Sequence, residues 1–309
     1  MSPIQKFFFP TDLCEVSSSA LHQAAGLALE HNAELVVIHV LPVCAVVAPD
    51  MVYVPYESDR ERMDEALREV HRKILPNIPT RVRSHAEIKI GYTAEEIVCA
   101  AETEACDLIV MSTHGHTGLQ HLALGSVAEE VVRRSSCPVL TVRQTRHDAI
   151  ERDTKIRRII CPTDFSEPSL DAMRQAGELA LLRGAELRVL HVLEPVHATA
   201  RLVEREDYEE SRAFDAAEAL SHLIEDHVPS QIVENVKLHR MIRQGHAAEI
   251  IVQVAREQSF DLIVIATHGR TGWRHLIFGS VAEEVLRTAE CPVLTVHMEA
   301  VPVPTAVSC

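Results

Sequence analysis

The sequence predicts an α/β protein of two tandem domains, each a doubly wound, five-stranded parallel sheet covered by helices. The length is one reason, because 309 residues are about twice the ~150 of an ordinary domain. A second is an internal repeat: PTDLCE at Pro10–Glu15 returns as PTDFSE at Pro162–Glu167, an offset of 162 − 10 = 152. The 36-residue segment Asp107–Val142 also returns at Asp261–Val296, with 25 identical positions and an offset of 154. The third is that each repeat alternates strand-like and helix-like segments, which is typical of a parallel sheet with right-handed crossovers.

Short apolar runs in the second repeat predict five strands, at Arg157–Cys161, Glu186–Leu193, Val236–Ile242, Leu262–Ala266 and Val293–Val296. Apolar residues at helical spacing predict the helices between them, at Ser169–Leu182, along Phe214, Ala217, Leu220 and Ile224, at Ala247–Glu257, and from Val281. Ser166 or Ser169 is available to cap the first of these helices. The first repeat follows the same order, and its second helix carries a stripe of Met63, Leu67, Val70 and Ile74.

The repeat also predicts the domain boundaries. We expect domain 1 at residues 1–146 and domain 2 at residues 156–298, joined by a charged linker near Arg143–Lys155. The two offsets differ by two residues, which predicts one small insertion between Pro42 and Gly91 or in the corresponding part of domain 2. Residues 299–309 contain two prolines and no periodic pattern, so we expect a flexible tail.

Composition restricts the class of protein. The 30 basic and 45 acidic residues give a formal net charge of −15, which argues against binding nucleic acid or an anionic membrane. The eight cysteines form no C-x-x-C pair, and the first residues, MSPIQKFFFPTD, lack the pattern of a signal peptide. These features favour a protein of the reducing cytoplasm.

Two segments of each repeat fall where an open α/β sheet binds its ligands, beyond the carboxyl ends of the strands. Pro10-Thr11-Asp12 and Pro162-Thr163-Asp164 follow the first strand, and Thr113-His114-Gly115 and Thr267-His268-Gly269 follow the fourth. Ten residues later, Gly125-Ser126 and Gly279-Ser280 begin a helix. A helix start offers unpaired N–H groups and the positive end of the helix dipole, which suit a phosphate. The aspartates suit a ribose hydroxyl or a base amino group instead.

At these residues the sequence resembles the universal stress protein family in its tandem, two-domain form, from Pro10 to Val296. The family's ATP-binding subclass carries G-x-x-G-x9-G-(S/T). The first half reads Ser112-x-x-Gly115-x9-Gly125-Ser126, and the second reads Ala266-x-x-Gly269-x9-Gly279-Ser280. Both halves therefore keep the spacing and the last three positions, but replace the first glycine by a small residue.

The resemblance implies a Rossmann-like fold of the adenine nucleotide alpha hydrolase type and a site for ATP or another adenine nucleotide, with or without Mg²⁺. The residues that it assigns to nucleotide binding are Pro10, Thr11, Asp12, Val40, Met111, Ser112, Gly115, Gly125, Ser126 and Val127 in the first half, and Pro162, Thr163, Asp164, Val192, Ile265, Ala266, Gly269, Arg270, Gly279, Ser280 and Val281 in the second. It also implies that the apolar last strands of the two halves, PVLTV in each, pair with each other within one chain; a homodimer is compatible with this arrangement.

Each assignment has a structural alternative. Asp12 and Asp164 could cap the following helices, and His39 and His191 read as packed structural histidines rather than catalytic ones. The histidines near Gly115 do not predict a metal site, because Arg270 replaces His116 in the second half and no cysteine or carboxylate has matching spacing. The pairs Glu129-Glu130 and Glu283-Glu284 read as a solvated helix face, although a general-base role is conceivable. No catalytic residue is assigned.

The sequence therefore predicts a cytoplasmic stress-response or signalling protein that binds adenine nucleotide and hydrolyses ATP slowly at most. One alternative is a nucleotide-independent interaction module of the same fold, favoured by Ser112 and Ala266. Another is a nucleotide-using enzyme such as an adenylating ligase or an electron-transfer flavoprotein. That class usually has a glycine-rich loop after the first strand, and PTDLCE and PTDFSE contain no glycine.

Overall fold

The computed structural model describes residues 4–14, 17–43, 47–48, 51–52, 56–113, 124–143, 155–195, 205–267 and 279–297. The elements of the first half are β1 (Lys6–Pro10), α1 (Ser18–His31), β2 (Glu34–Pro42), β3 (Val47–Ala48), β4 (Met51–Val52), α2 (Tyr56–Lys73), a 3-10 turn (Leu75–Asn77), β5 (Arg83–Gly91), α3 (Thr93–Thr103), β6 (Leu108–Ser112), α4 (Ser126–Arg134) and β7 (Val139–Val142). Those of the second half are β8 (Arg158–Pro162), α5 (Glu167–Arg183), β9 (Glu186–Leu193), α6 (Arg205–His227), α7 (Ser230–Asn235), β10 (Leu238–Gln244), α8 (Ala247–Glu257), β11 (Leu262–Ala266), α9 (Ser280–Thr288) and β12 (Val293–Val296).

Ten strands form one sheet in the order β10-β9-β8-β11-β12-β7-β6-β1-β2-β5. Neighbouring strands within each half run parallel, with the fourth strand beside the first, so each half is the predicted five-stranded, doubly wound sheet. The strands β3 and β4 form a separate two-residue antiparallel pair between β2 and α2.

The helices bury both faces of this sheet. Along β1, Phe7 and Phe9 pack into one hydrophobic cluster with α1, while Phe8 points into the other cluster with α3 and α4. All three aromatic rings are fully buried. A strand buried on both faces must be apolar at consecutive positions, which is why the strands read as continuous apolar runs.

The two halves are joined through their last strands, as predicted. β7 and β12 pair antiparallel, with Leu140 opposite Leu294. The buried hydroxyl groups of two threonines reinforce this junction, since Thr141 Oγ1 donates to the Val293 carbonyl at 3.2 Å and Thr295 Oγ1 to the Val139 carbonyl at 3.1 Å. The pairing removes the exposed strand edge that each half would otherwise present.

The prediction for the apolar face of α6 is partly wrong. Leu220 and Ile224 are buried as expected, but Phe214 is 70% exposed and Ala217 is exposed, while Ala216 is buried instead. The buried positions are therefore 216, 220 and 224, a spacing of four residues along one side of the helix. Phe214 lies off that side and faces solvent.

The element bounds agree with the prediction of one small insertion. The offset is 186 − 34 = 152 where the second strands begin, at Glu34 and Glu186. It is 227 − 73 = 154 where the second helices end, at Lys73 and His227, and the buried Val82 and Val236 keep that value. The second half therefore has two additional residues between the start of its second strand and the end of its second helix.

Among the described residues, no helix is both long and apolar enough to cross a bilayer.

Candidate nucleotide site

The topology places a crevice in each half between the carboxyl ends of the first and fourth strands. In the first half β1 lies beside β6, with Phe7 opposite Leu108, and both strands end at the same edge, at Pro10 and Ser112. In the second half β8 and β11 are related in the same way and end at Pro162 and Ala266. The crossovers leave these two strands in opposite directions, which is the usual position of a ligand site in an open α/β sheet.

The loop after β1 is held by its own side chains. The Thr11 amide donates to the Ile38 carbonyl at 2.9 Å, and its buried hydroxyl accepts from the Leu13 amide at 3.0 Å. Asp12 Oδ1 accepts from the Cys14 amide at 3.1 Å. This is a turn in which an aspartate side chain binds its own backbone two residues later. Asp12 is thus oriented before any ligand arrives.

The loop after β8 repeats this geometry. The Phe165 amide donates to Thr163 Oγ1 at 3.1 Å, and the Ser166 amide donates to Asp164 Oδ1 at 3.1 Å. The Ser166 hydroxyl donates to the same carboxylate oxygen. The alternative that the aspartates cap the following helices is wrong, because the N-cap residues of α1 and α5 are Ser17 and Ser166.

Both loops contain a backbone conformation that the sequence did not predict. Leu13 has φ 64° and Phe165 has φ 65°, in the left-handed region that side chains other than glycine, asparagine and aspartate rarely adopt. Such residues cost about 1–3 kcal/mol and cluster where a binding site fixes the backbone. The same conformation recurs at matching positions of both halves, as it also does at Ala105 and Ser259 before the fourth strands, so it shows that the loops are duplicated in detail.

The structure identifies hydrogen-bond partners for His39 and His191, which the sequence suggested to be structural histidines. His39 Nδ1 lies 2.7 Å from the Thr11 carbonyl, and His191 Nδ1 lies 2.8 Å from the Thr163 carbonyl. A carbonyl can only accept, so Nδ1 carries the proton in both rings. Each histidine thereby ties the end of the second strand to the loop after the first. The sequence signal for this role is that a histidine recurs at the same position of the second strand in both halves.

Val40 and Val192 lie beyond the part of the second strand that pairs with the first, since the last pairs are Pro10 with Ile38 and Pro162 with Leu190. The second strand thus extends past the first and brings its backbone to the edge of the crevice. On the other side, Met111, Ile265 and Ala266 are buried and Ser112 is half-buried at the ends of β6 and β11.

The Gly-Ser steps lie against the ends of the fourth strands. The Gly125 amide donates to the Thr113 carbonyl at 2.8 Å, and the Gly279 amide donates to the Thr267 carbonyl at 2.9 Å. These glycines are the N-cap residues of α4 and α9, and neither helix start has a side-chain cap hydrogen bond. Ser126 and Ser280 are exposed, and Val127 and Val281 follow them half-buried in the first turn.

The structure therefore brings together the predicted residues of the first, second and fourth strands and the helix start in each half. Gly115, Gly269 and Arg270 lie outside the described residues, as do His114, His116 and Trp273. Among the described residues, no group of three histidine, cysteine, aspartate or glutamate side chains could hold a metal ion.

Cys161 and Glu130 belong to elements that border the crevice, and they are engaged in packing and in an ion pair, respectively. Burial raises the pKa of Cys161, which precedes Pro162, to about 12, so this thiol stays protonated. Glu130 forms an ion pair with Arg134 at 2.9 Å, and Glu129 is exposed on the same helix. This arrangement supports the solvated helix face over a general base for Glu130.

Comparisons with known proteins match these features. The model of the universal stress protein family matches residues 3–143 and again 155–297. A universal stress protein of Methanocaldococcus jannaschii is 37% identical over 149 residues, covering 47% of this chain and 85% of its own. One of Mycolicibacterium smegmatis is 25% identical over 291 residues, covering 91% of this chain and 93% of its own.

The fold also agrees with solved structures. A universal stress protein of Archaeoglobus fulgidus superposes with a TM-score of 0.65 at 22% identity, over 94% of this chain and 95% of its own. With two family matches that together span nearly the whole sequence, and with the duplicated crevices described above, this chain belongs to the universal stress protein family and is a tandem of two of its domains.

Proposed function

We propose that each crevice binds an adenine nucleotide, ATP or AMP, and that the protein acts in a cytoplasmic stress response or in signalling. The observation that carries the proposal is the duplicated geometry. In both halves an oriented aspartate and a glycine-serine helix start meet at the switch point of the sheet. Two sites of unrelated purpose would not be expected to keep the same hydrogen bonds at matching positions.

The aspartates are suited to the nucleoside. A carboxylate accepts hydrogen bonds only, so Asp12 and Asp164 match ribose hydroxyls or the amino group of adenine and would repel phosphate. The strand backbone at Val40 and Val192, past the end of the first strand, offers amide and carbonyl groups to the base.

The helix starts are suited to the phosphates. The first turns of α4 and α9 present backbone amides without a side-chain cap, an exposed serine hydroxyl and the positive end of the helix dipole. Mg²⁺ would accompany a triphosphate as its counterion. We expect slow hydrolysis at most, because the sequence offers neither a nucleophile–base pair nor a metal cluster for the reaction.

Ser112 and Ala266 favour a second candidate, a nucleotide-independent interaction module. They stand where the ATP-binding subclass has its first glycine, at the end of β6 and of β11. A Cβ at this point narrows the crevice. If the remaining space admits a nucleotide, the chain is a nucleotide-binding protein; if it does not, the chain is an interaction module.

A test begins with the purified full chain, denatured and examined by mass spectrometry for a released adenine nucleotide. Calorimetric titration with ATP should then give two sites per chain, and Gly125→Val and Gly279→Val should each reduce the number to one. Gly125 and Gly279 have φ of −61° and −67°, which valine tolerates, so the loss would come from steric exclusion and not from backbone strain.

The two single variants serve as controls for each other, because each leaves the other half unchanged. Unaltered affinity and stoichiometry in the folded double variant would reject the phosphate assignment. The absence of nucleotide binding by the wild-type chain would favour the interaction module.

A further inference from the structure

Two cysteines of the first half meet at the amino-terminal end of the sheet, opposite the nucleotide crevice. Cys106 lies two residues before β6, and Cys137 lies two residues before β7. These strands pair with Ile109 opposite Val139, and the Ile109 amide donates to the Pro138 carbonyl at 3.1 Å. Cys137 is therefore one position out of register with Cys106, and both side chains pack in the same hydrophobic cluster.

The surroundings of the two thiols differ. Cys106 is 8% exposed and packs in the core, with its Sγ 3.8 Å from the Lys6 carbonyl. Cys137 is half-buried, and the Ser135 hydroxyl lies 3.4 Å from its Sγ. Cys137 is thus the thiol that solvent reaches, and Cys106 lies behind it.

These contacts separate the acidities of the pair. The neighbouring Cys106 thiol lowers the pKa of Cys137 and outweighs burial, which opposes it. Burial raises the pKa of Cys106, and the neighbouring Cys137 sulfur raises it further. The accessible sulfur is consequently the one that ionises, while the buried sulfur keeps its proton.

The second half lacks this arrangement. Its counterpart of Cys137 is Cys291, at 137 + 154, but position 106 + 154 holds Phe260. The Phe260 ring lies beneath the guanidinium groups of Arg158 and Arg188, 4.8 Å and 5.5 Å from its centroid. The chain therefore contains an internal comparison: the same strand end with and without a second thiol.

We propose that Cys106 and Cys137 form a reversible dithiol–disulfide couple, oxidised by hydroperoxides. In the first step the Cys137 thiolate attacks one oxygen of the peroxide and the O–O bond breaks. Cys137 becomes a sulfenic acid, and the leaving oxygen takes up a proton and departs as water. In the second step the Cys106 sulfur attacks the Cys137 sulfur, the S–O bond breaks, and a second water leaves with the Cys106 proton. Two thiols and one hydrogen peroxide thus give one disulfide and two waters.

The geometry suits the bond. Adjacent strands lie about 4.8 Å apart, and one position out of register adds about 3.3 Å along the strand, so two such Cα atoms are about 6 Å apart. That is within the range of about 4.4–6.8 Å that disulfides join. The link would join two strands that are already paired.

The test uses the full chain, reduced, treated with hydrogen peroxide, and alkylated to block the remaining thiols. Trypsin places Cys137 in the peptide Ser135–Arg143, and it places Cys99 and Cys106 together in Ile90–Arg133. Cleavage after Glu104 then separates those two cysteines. We expect a cross-linked peptide joining Cys106 to Cys137, two hydrogens lighter than the sum of its parts, which dithiothreitol separates.

Two controls sharpen the result. Cys291 should lose its free thiol more slowly than Cys137, because Phe260 stands where Cys137 has a neighbouring thiol. In Cys106→Ser, Cys137 should stop at the sulfenic acid and react with dimedone instead of forming the bridge. The wild-type cross-link needs no variant, so this outcome does not depend on the folding of Cys106→Ser.

Three results would overturn the proposal. Cys137 could be oxidised to the sulfinic acid without any link to Cys106, it could pair with Cys99 or with a second chain, or it could react no faster than Cys291. Each would show that the contact between the two thiols is packing alone.

Discussion

Replacing Thr163 by valine removes a hydroxyl that makes two hydrogen bonds in the loop after β8. The Ser169 hydroxyl already donates to the Ser166 carbonyl at 2.8 Å, so Thr163 Oγ1 donates to Ser169 Oγ at 2.9 Å. The same oxygen accepts from the Phe165 amide at 3.1 Å, which is the amide of the residue with φ 65°. The side chain is buried, so water cannot replace these partners.

The first half provides the matched comparison. Thr11 Oγ1 accepts from the Leu13 amide at 3.0 Å, but its distance to Ser17 Oγ is 3.5 Å, at the limit for a hydrogen bond. At about 0.5–1.5 kcal/mol for each hydrogen bond, Thr163→Val should lower the free energy of unfolding by about 1–3 kcal/mol. Thr11→Val should lower it by about 0.5–1.5 kcal/mol.

Urea denaturation of the full chain, followed by circular dichroism, measures this difference in a common background. Hydrogen exchange should also show faster exchange of the Phe165 amide in Thr163→Val, because that amide loses its acceptor. Thr163→Ser keeps the hydroxyl and should retain the protection of Phe165. Equal destabilisation by the two valine variants, or unchanged exchange at Phe165, would show that these hydroxyls do not hold the strained loops.

The remaining predictions concern assembly, acid stability and the inequality of the two sites. The fragment Met1–Arg146 exposes the edge of β7 that β12 covers in the full chain, so light scattering should show a dimer. A well-folded fragment that stays strictly monomeric would show that this edge does not need a partner strand. Burial alone would raise the pKa of Glu186, but Lys237 and the neighbouring cations outweigh it and hold that pKa below its usual 4.5. The stabilisation from these ion pairs is present above pH 4.5 and is lost as the pH falls through the lowered pKa of Glu186. Glu186→Gln should therefore flatten the fall in the free energy of unfolding below about pH 4.5, and an unchanged acid profile would contradict this. Finally, the second site should bind ATP more tightly, because Arg270 carries a charge at neutral pH and its counterpart in the first half is His116. Calorimetry should show that Arg270→His weakens ATP binding more than His116→Ala does, and the opposite order would mean that the first site is the tighter one.

Much of the fold could be predicted because its signals are local. The strands Glu186–Leu193, Leu262–Ala266 and Val293–Val296 and the helix Ala247–Glu257 have the predicted bounds. Strands buried on both faces must be continuously apolar, and the charged and turn residues at their ends interrupt that run sharply. The resemblance to the family also predicted the pairing of β7 with β12, which the structure confirms.

The candidate site could be predicted only in part. The spacing of Gly125-Ser126 and the position of Asp12 after β1 indicated which residues face the crevice. The left-handed conformation of Leu13 and Phe165 could not be predicted, because neither residue type favours it. It arises from the hydrogen bonds of the neighbouring threonines and aspartates, which hold the backbone against its own preference.

The sequence by itself determined the alternation of strands and helices, because this depends on neighbours close along the chain, and it showed the duplication directly as a repeat of its residues. Only the tertiary structure decided that His39 reaches the Thr11 carbonyl, that Phe214 faces solvent, and that Cys106 and Cys137 pack in one cluster. These outcomes depend on the twist of the sheet, the rotation of a helix about its axis and the register between strands. Such quantities are fixed when separate segments pack together, and no single segment contains them.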